Sequence, residues 1–324
     1  MATDRPARNT VVIVDHPFGD VEAEREVATR HGYELHVHQC ASESEVIEAV
    51  RDSKVALVNQ APMTRQAIAA MASGGTIVRY GVGYDNVDVS AAVEHGVAVA
   101  NVPDYGSGTV ADHAATLLLT MLRKVPEYDD AVRTRGWIAQ SEVGRVRDFT
   151  VATIGMLGFG RIGRALHTRL APFGFEIIVH DPAADEEQLR DLGIGLVSFS
   201  ELLERSNAIS LHLPLTTDTH HIIDERSLRL MAPDAVLVNT ARGPLVDSAA
   251  LAQALNSGTL GGAALDVFES EPLPSDSPLR TAPRLLLTPH TAFYSDQSLT
   301  RLQELAADEV GRALRAEPLR CRVA

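Results

Sequence analysis

The chain has 324 residues, about twice a typical domain, and 45% of them are hydrophobic, enough for two sizeable cores. A formal net charge of −14, from 29 basic and 43 acidic residues, works against non-specific binding to nucleic acid or to an anionic membrane. No run approaches the roughly 20 apolar residues of a membrane span, and Cys40 and Cys321 stand far apart in no metal-ligand spacing, which implies a reduced, cytoplasmic protein with no disulfide framework and no metal.

The opening "MATDRPARNT" is polar, lacks the apolar stretch of a signal peptide and reads as a short disordered leader. Five β-branched apolar runs follow: "TVVIVD" (10–15), "ELHVHQ" (34–39), "VALVNQ" (55–60), "TIVRYG" (76–81) and "VAVANV" (97–102). Helical patterns such as "DVEAEREVATRHG" and "SESEVIEAVRDS" lie between them. Strands joined by helical crossovers make a small doubly wound α/β domain.

The rhythm then changes. "GTVADHAATLLLTMLRKV" (108–125) reads as one long apolar helix, with Thr109 and Asp112 as a weak capping box at its start. Residues 126–150 form a polar, arm-like stretch that contains the only tryptophan, Trp137. Alternation resumes with "VATIGML", "EIIVHD", "AISLHL", "AVLVNT", "GGAALDV" and "RLLLTPH", and 295–314 is an amphipathic helix with no strand after it. The expected fold is therefore α/β: two doubly wound Rossmann/flavodoxin-like domains with a cleft between them. One domain is discontinuous, 1–103 and 292–324, and the other, 104–291, is inserted into it.

The segment "TIGMLGFGRIGRALHTRLAPFGFEIIVHDP" holds Gly158-x-Gly160-x-x-Gly163 between an apolar strand and a helix. Asp181 ends the next strand, eighteen residues past Gly163. With 23 glycines a chance match is easy, and an ordinary glycine-rich turn is the competing reading. The full strand–turn–helix–strand–acid context favours a dinucleotide fingerprint. Gly158 permits the tight turn, Gly160 the approach of a pyrophosphate, and Gly163 the packing of helix on strand, while the helix N-terminus offers N–H groups and a positive dipole end to the phosphates. An acid at Asp181 accepts both ribose hydroxyls of NAD and repels a 2′-phosphate, so NAD is expected rather than NADP.

Among twelve histidines, His290 stands out because "RLLLTPHTAFYS" (284–295) delivers it at a strand exit, beside one of the expected domain crossings. Three motifs join the fingerprint in order: "VNTARGPLVD" (238–247), "GAALDVFESEP" (262–272) and "LTPHTAFYS" (287–295). Together they resemble the D-isomer-specific 2-hydroxyacid dehydrogenases over residues 54–316. "TIVRYGVGYDNVD", "THHII" and "TPHTAFYSDQ" look most like the C-terminal-binding-protein branch, whose members are NAD-binding corepressors; bacterial dehydrogenases share that branch.

The resemblance implies an NAD-dependent oxidoreductase that reduces small 2-keto acids, with a catalytic set of Arg242, Glu271 and His290. Hydride addition to a keto carbon places negative charge on its oxygen, so a protonated His290 would act as general acid and, in the oxidation direction, as base. Glu271 would pair with it and favour imidazolium, and Arg242 would hold the substrate by charge-assisted hydrogen bonds. A surface arginine, a helix-capping glutamate and a strand-end histidine are the ordinary alternatives, which the shared register of all three opposes. Val82 and Gly83 would offer backbone N–H groups to the substrate carboxylate, making 1–103 with 292–324 the substrate-binding domain.

The implied NAD contacts are the fingerprint residues Gly158, Phe159, Gly160, Arg161, Ile162 and Gly163, then Asp181, with Leu213, Pro214 and Thr219 on the adenine and phosphate side. Thr240 and Ala241 would line the cofactor face and Asp266 would bind the nicotinamide carboxamide, unless Asp266 is only a strand-end turn residue. Val82 stands where phosphite dehydrogenases carry lysine, which argues against phosphite oxidation, and Phe293 where the corepressors carry tryptophan.

Tyr80, Tyr84, Tyr105 and Phe293 are expected to size the substrate pocket. His113 reads as a core or interface residue, and His220 and His221, being adjacent, are expected to point apart and make a poor metal pair. The long apolar helix and the Trp137 segment suggest a homodimer, which the resemblance also implies. The competing role is an NAD(H)-responsive, corepressor-like binding protein with little turnover.

Overall fold

Parallel strands with helical crossovers build two sheets, each in its own unit: Met1–Gly106 with Ser295–Ala324, and Ser107–Tyr294. The computed structural model describes residues 9–324; residues 1–8, most of the expected leader, lie outside the described residues.

In the first unit β1 (Thr10–Ile13), α1 (Glu22–Arg30), β2 (Glu34–Val37), α2 (Glu43–Ala49), β3 (Val55–Val58), α3 (Arg65–Ala70), β4 (Thr76–Arg79), α4 (Val89–Glu94) and β5 (Ala98–Asn101) follow in strict alternation. The sheet order is β2-β1-β3-β4-β5, all parallel. Inner strand β3 is buried at every residue, and edge strand β2 is largely exposed. That difference is why "VALV" is a continuous apolar run and "ELHV" is not. Ser42, Thr64 and Asp88 cap α2, α3 and α4 by accepting first-turn N–H groups.

The second unit opens with α5 (Ser107–Leu122) and α6 (Val125–Arg135). The helix expected over 108–125 is continuous from Ser107 but ends at Leu122, and part of the expected polar arm is a second helix. Lys124 turns left-handed at φ 52°, and Pro126 follows in the first turn of α6. Proline has no N–H with which to continue the preceding helix but suits a first turn. Nor does Thr109 cap the first helix, because α5 already starts at Ser107.

Then come β6 (Thr153–Leu157), α7 (Arg161–Leu170), β7 (Glu176–His180), α8 (Glu186–Asp191), β8 (Gly195–Leu196), α9 (Phe199–Arg205) and β9 (Ala208–Leu211). The unit continues through α10 (Glu225–Leu230), β10 (Val236–Asn239), α11 (Ser248–Ser257), β11 (Gly262–Leu265) and β12 (Leu285–Leu287). The parallel order is β12-β11-β10-β9-β6-β7-β8. The two-residue edge strand β8 is too short and exposed to carry a sequence period.

Finally α12 (Asp296–Leu314), capped by Ser295, returns to the first unit and packs on α1, burying Leu302, Ala306 and Val310 with Val11 and Ile13. The units divide after residues 106 and 294 rather than 103 and 291, because α5 begins at Ser107 and α12 takes its cap from Ser295.

Tyr80 belongs to that same core. Expected to size a substrate pocket, it is 1% exposed and packs edge-on against Phe18, while its hydroxyl donates to Glu24 Oε1 at 2.7 Å. Glu24 is itself buried, and its Oε2 has no hydrogen-bond partner among the described residues. Burial therefore pushes the Glu24 carboxyl above its ordinary range, against the bond from Tyr80. An acid whose folded value is raised stabilises the fold below its unfolded value and loses that contribution as pH rises through the folded value. We expect Glu24→Gln to raise the thermal midpoint at pH 8 and to have little effect at pH 4. A variant less stable than wild type at pH 8 contradicts this reading of the core.

Candidate active site

His290 and Glu271 meet at the C-terminal edge of the second sheet. His290 Nδ1 lies 2.6 Å from Glu271 Oε2, with side chains 34% and 29% exposed. A carboxylate only accepts, so Nδ1 carries the proton and Nε2 is the nitrogen left to exchange one with a substrate. Glu271 Oε1 accepts from the Phe268 backbone N–H at 2.9 Å, which fixes the carboxylate. Partial burial raises the Glu271 carboxyl, but the His290 bond, the Phe268 N–H and the charges of His290 and Arg242 together outweigh it, and the net shift is downward. Phe293 stands edge-on to the imidazole, ring centres 6.2 Å apart.

Arg242 follows β10 in a loop clipped by one buried amide. Asn239 Nδ2 donates to the Arg242 carbonyl at 2.8 Å, and its Oδ1 accepts from Ala241 N–H at 3.0 Å. Gly243 then passes so close to the next loop that a Cβ there would lie 1.9 Å from the Phe268 carbonyl carbon. Only glycine lets the loop of Arg242 lie against the loop of Glu271.

His290 has a left-handed backbone, φ 51°, unusual for a residue with a Cβ. Asp266 holds this turn. Its carbonyl accepts from His290 N–H at 2.7 Å, and its carboxylate accepts from Thr291 N–H and Ala292 N–H, each at 2.9 Å. Thr288 Oγ1 lies 2.5 Å from Asp266 Oδ1, and His113 Nε2 from α5 lies 3.1 Å from Thr288 Oγ1. His113, read from sequence as an ordinary core or interface residue, is thus part of a polar chain behind the turn. Asp266 is fully buried and three of the roughly four acceptor positions of its carboxylate are used inside the protein, which leaves one for a carboxamide N–H.

The dinucleotide fingerprint lies on the same edge. Gly158 turns at φ 91°, where a Cβ would lie 2.7 Å from the His212 carbonyl oxygen, and a Cβ on Gly163 would lie 2.7 Å from the Gly158 carbonyl oxygen. A Cβ on Gly160, the N-cap of α7, meets nothing within 4 Å. Two glycines serve tight packing and the middle one faces open space, so the cradle fits a pyrophosphate above the first-turn amides of Arg161, Ile162 and Gly163. The Phe159 N–H is not among the groups offered: it donates to Asp181 Oδ2 at 2.8 Å. Asp181 Oδ1 accepts from Ala183 N–H at 2.9 Å, so each oxygen keeps lone-pair capacity for a ribose hydroxyl.

Strand β6 has β7 on one side and β9 on the other, the topological switch at which such sheets bind ligands. The hydroxyl of Thr240, just past β10, is buried without a partner among the described residues, an open polar group on the expected cofactor face, with Ala241 half-buried beside it. Past β9, the His212 ring nitrogen is enclosed and unpartnered, and burial lowers its pKa to about 4, so it is neutral at physiological pH. Leu213 packs toward Gly158, whereas the Thr219 hydroxyl donates to the Pro214 carbonyl at 2.7 Å and shapes the loop itself.

His220 and His221 do not point apart: their rings stack at 4.0 Å, because His221 is left-handed at φ 52°, and His221 Nε2 reaches Glu269 Oε1 at 2.6 Å. Among the described residues no group of three or more His, Cys, Asp or Glu side chains could hold a metal ion. In the first unit the Gly81 carbonyl accepts from Val102 N–H at 2.9 Å and the Val82 carbonyl from Asn101 Nδ2 at 2.6 Å; the N–H groups of Val82 and Gly83 are not used in these bonds. Sequence alone gives Asn239 and Thr288 no role, although both lie inside quoted motifs; the amide two residues before "ARG" and the hydroxyl before "PH" are the signals that mark them.

Residues 115–292 match the family model for the D-isomer specific 2-hydroxyacid dehydrogenase NAD-binding domain. A glyoxylate reductase of Korarchaeum cryptofilum is 38% identical over 83% of this chain and 82% of its own length. A D-3-phosphoglycerate dehydrogenase of Methanocaldococcus jannaschii is 36% identical over 88% of this chain, which spans only 54% of that longer protein. The D-lactate dehydrogenase of Aquifex aeolicus, solved with NAD and lactic acid, superposes with a TM-score of 0.85 at 28% identity, covering 95% of this chain and 96% of that one.

The position of Asp181 makes cofactor choice testable. NADH is expected to be used with a higher kcat/KM than NADPH, and Asp181→Ala to narrow the ratio by removing both repulsion of a 2′-phosphate and the ribose hydrogen bonds. A wild-type protein that prefers NADPH refutes this assignment.

Proposed function

The chain belongs to the D-isomer-specific 2-hydroxyacid dehydrogenase family, and on that premise we propose that it reduces a small 2-keto acid to the D-2-hydroxy acid with His290 as proton donor. It is an NAD-dependent oxidoreductase of 2-hydroxy acids. The observation that carries the proposed roles is the 2.6 Å pair between His290 Nδ1 and Glu271 Oε2, with the charge of Arg242 acting on the same carboxylate.

When bound, the reduced dinucleotide supplies a hydride to the keto carbon. The Arg242 guanidinium would hold the substrate's carboxylate and carbonyl oxygen and favour the negative charge that develops there. The imidazolium Nε2–H of His290 would pass its proton to that oxygen as the C–H bond forms, leaving a neutral ring whose Nδ1–H stays on Glu271. Val82 and Gly83 are proposed carboxylate donors, Thr240 and Ala241 proposed contacts on the cofactor face, and Asp266 a proposed carboxamide contact through its one remaining acceptor position.

The likeness to the C-terminal-binding-protein branch rests on the three quoted segments alone. A corepressor-like binding role finds no support among the relatives, which are named as reductases and dehydrogenases. No helix among the described residues is long and apolar enough to cross a membrane. The acidic balance and the two isolated cysteines support a cytoplasmic location.

A panel of 2-keto acids with NADH, followed by loss of NADH absorbance, identifies the substrate. His290→Ala should cut kcat by roughly 10²–10⁴-fold, the range for losing a positioned acid, while NADH binding is nearly unchanged. A folded, NADH-binding variant that turns over at near wild-type rate removes His290 from the chemistry.

A homodimer is proposed through the segment that carries the exposed apolar residues Trp137 (91%), Val151 (70%), Val125 (51%) and Val132 (51%). So much apolar surface within 125–151 is uncharacteristic of a monomer's exterior. Sedimentation at micromolar concentration is expected to give twice the 34.8 kDa chain mass, and Val132→Glu with Trp137→Glu to shift it toward one chain. A wild-type mass of one chain rejects the dimer.

A further inference from the structure

Strands β11 and β12 are neighbours, and the loops leaving them bring Asp266 beside the turn 288–292. Asp266 takes three consecutive backbone N–H groups there, those of His290, Thr291 and Ala292, and His290 has the left-handed φ of 51°. Left-handed backbone is unfavourable for a residue with a Cβ. Such a turn persists only if its surroundings over-determine it. The main-chain carbonyl of Asp266 holds the His290 N–H and its buried carboxylate holds the next two, so the turn that aims His290 Nε2 depends in part on the orientation of that carboxylate.

Hydrogen-bond chemistry sets what holds that carboxylate. Asp266 Oδ1 and Oδ2 already accept backbone N–H groups, which cannot reverse their role. The Thr288 hydroxyl, 2.5 Å from Oδ1, must spend its single proton on the carboxylate and can then only accept from His113 Nε2 at 3.1 Å. His113 consequently carries its proton on Nε2, which also lies 3.7 Å from Asp266 Oδ1. The chain runs one way: His113 N–H to Thr288 O–H to Asp266, and Asp266 to the turn of His290.

Its far end is anchored on α5, a sixteen-residue helix that packs on β9, β10 and β11. We infer that His113, acting through Thr288 and Asp266, is a positioning residue for the proton donor. The inference rests on the proposed role of His290 and goes beyond it, since His113 touches neither Glu271 nor the imidazole in any bond described above.

The test uses the full-length protein with His113→Ala, His113→Gln, Thr288→Val, Thr288→Ser and the double variant His113→Ala/Thr288→Val. Hydrogen exchange followed by mass spectrometry on a peptide spanning 286–294 reads the turn without reference to activity. His113→Ala and Thr288→Val are expected to accelerate exchange there about tenfold. They should lower kcat by about ten- to a hundredfold, as a small misplacement of a reacting group does, with the KM of the keto acid and the Kd of NADH within about threefold of wild type.

Glutamine can donate from its amide and serine keeps the hydroxyl, so His113→Gln and Thr288→Ser should recover most of both readouts. The double variant should be no worse than the poorer single one, because both break the same chain. Unchanged exchange at 286–294 in a stable His113→Ala protein overturns the inference, as does additive loss in the double variant or a glutamine variant as impaired as alanine. If His290→Ala itself retains turnover, the reading of His290 fails; if His290→Ala is inactive and His113→Ala is normal in rate and exchange, only the positioning chain fails.

Discussion

Parallel strands all end on the same edge of their sheet, and this constraint organises the second unit. The loops leaving β6, β7, β9, β10, β11 and β12 emerge side by side. The glycine turn follows β6, Asp181 follows β7, Arg242 follows β10, Asp266 and Glu271 follow β11, and His290 follows β12. Residues distant in sequence become neighbours because sheet order, and not chain order, decides which loops adjoin. Thus β11 next to β12 brings Asp266 against the His290 turn, and β10 next to β11 brings Gly243 against Phe268.

Adjacent loops still need fixing, and the unit does this with buried or half-buried polar groups that bond to loop backbone. Asn239 clips the Arg242 loop with both ends of its amide. Asp181 ties the end of β7 to the glycine turn through Phe159 N–H. Asp266 gathers three backbone N–H groups, and Glu271 takes one backbone N–H before it meets His290. Burying a carboxylate is unfavourable unless its oxygens are satisfied, so each of these groups permits few orientations. The loops inherit that restriction. Their geometry is set by specific hydrogen bonds in a fold whose strands and helices are held by apolar packing.

The first unit uses a buried acid differently. Glu24 has one oxygen on Tyr80 and one with no partner among the described residues, which raises its carboxyl where the bonds to Glu271 lower that one. A buried and a partly exposed glutamate in one chain thus shift in opposite directions, and burial together with the number and charge of their donors accounts for the difference. Sequence offers no warning of this: both are ordinary glutamates in a chain with 43 acidic residues.

Much of the fold and of the site was legible because the signals are local. Strand runs such as "VALV" and "TIGML" are buried on both faces and read as continuous apolar stretches, and the glycine turn, the acid after β7 and the motifs holding Arg242, Glu271 and His290 are each carried by a short segment of their own. What the sequence misread depended on a partner far along the chain or on a backbone change at one residue. The 108–125 helix breaks at Lys124, where the left-handed turn comes one residue before the proline-bearing first turn of α6. Tyr80 turns into the core toward Glu24, 56 residues away, and adjacent His220 and His221 stack because one of them is left-handed. His113 and Thr288, 175 residues apart, share no pattern that periodicity detects. By itself the sequence determined the two α/β units, the dinucleotide turn and the residue types of the site, because apolar period and motif spacing are properties of short segments. Only the tertiary structure decided which polar groups face each other, because hydrogen-bond partners are assigned by sheet order and helix packing, which bring together residues that no local pattern links.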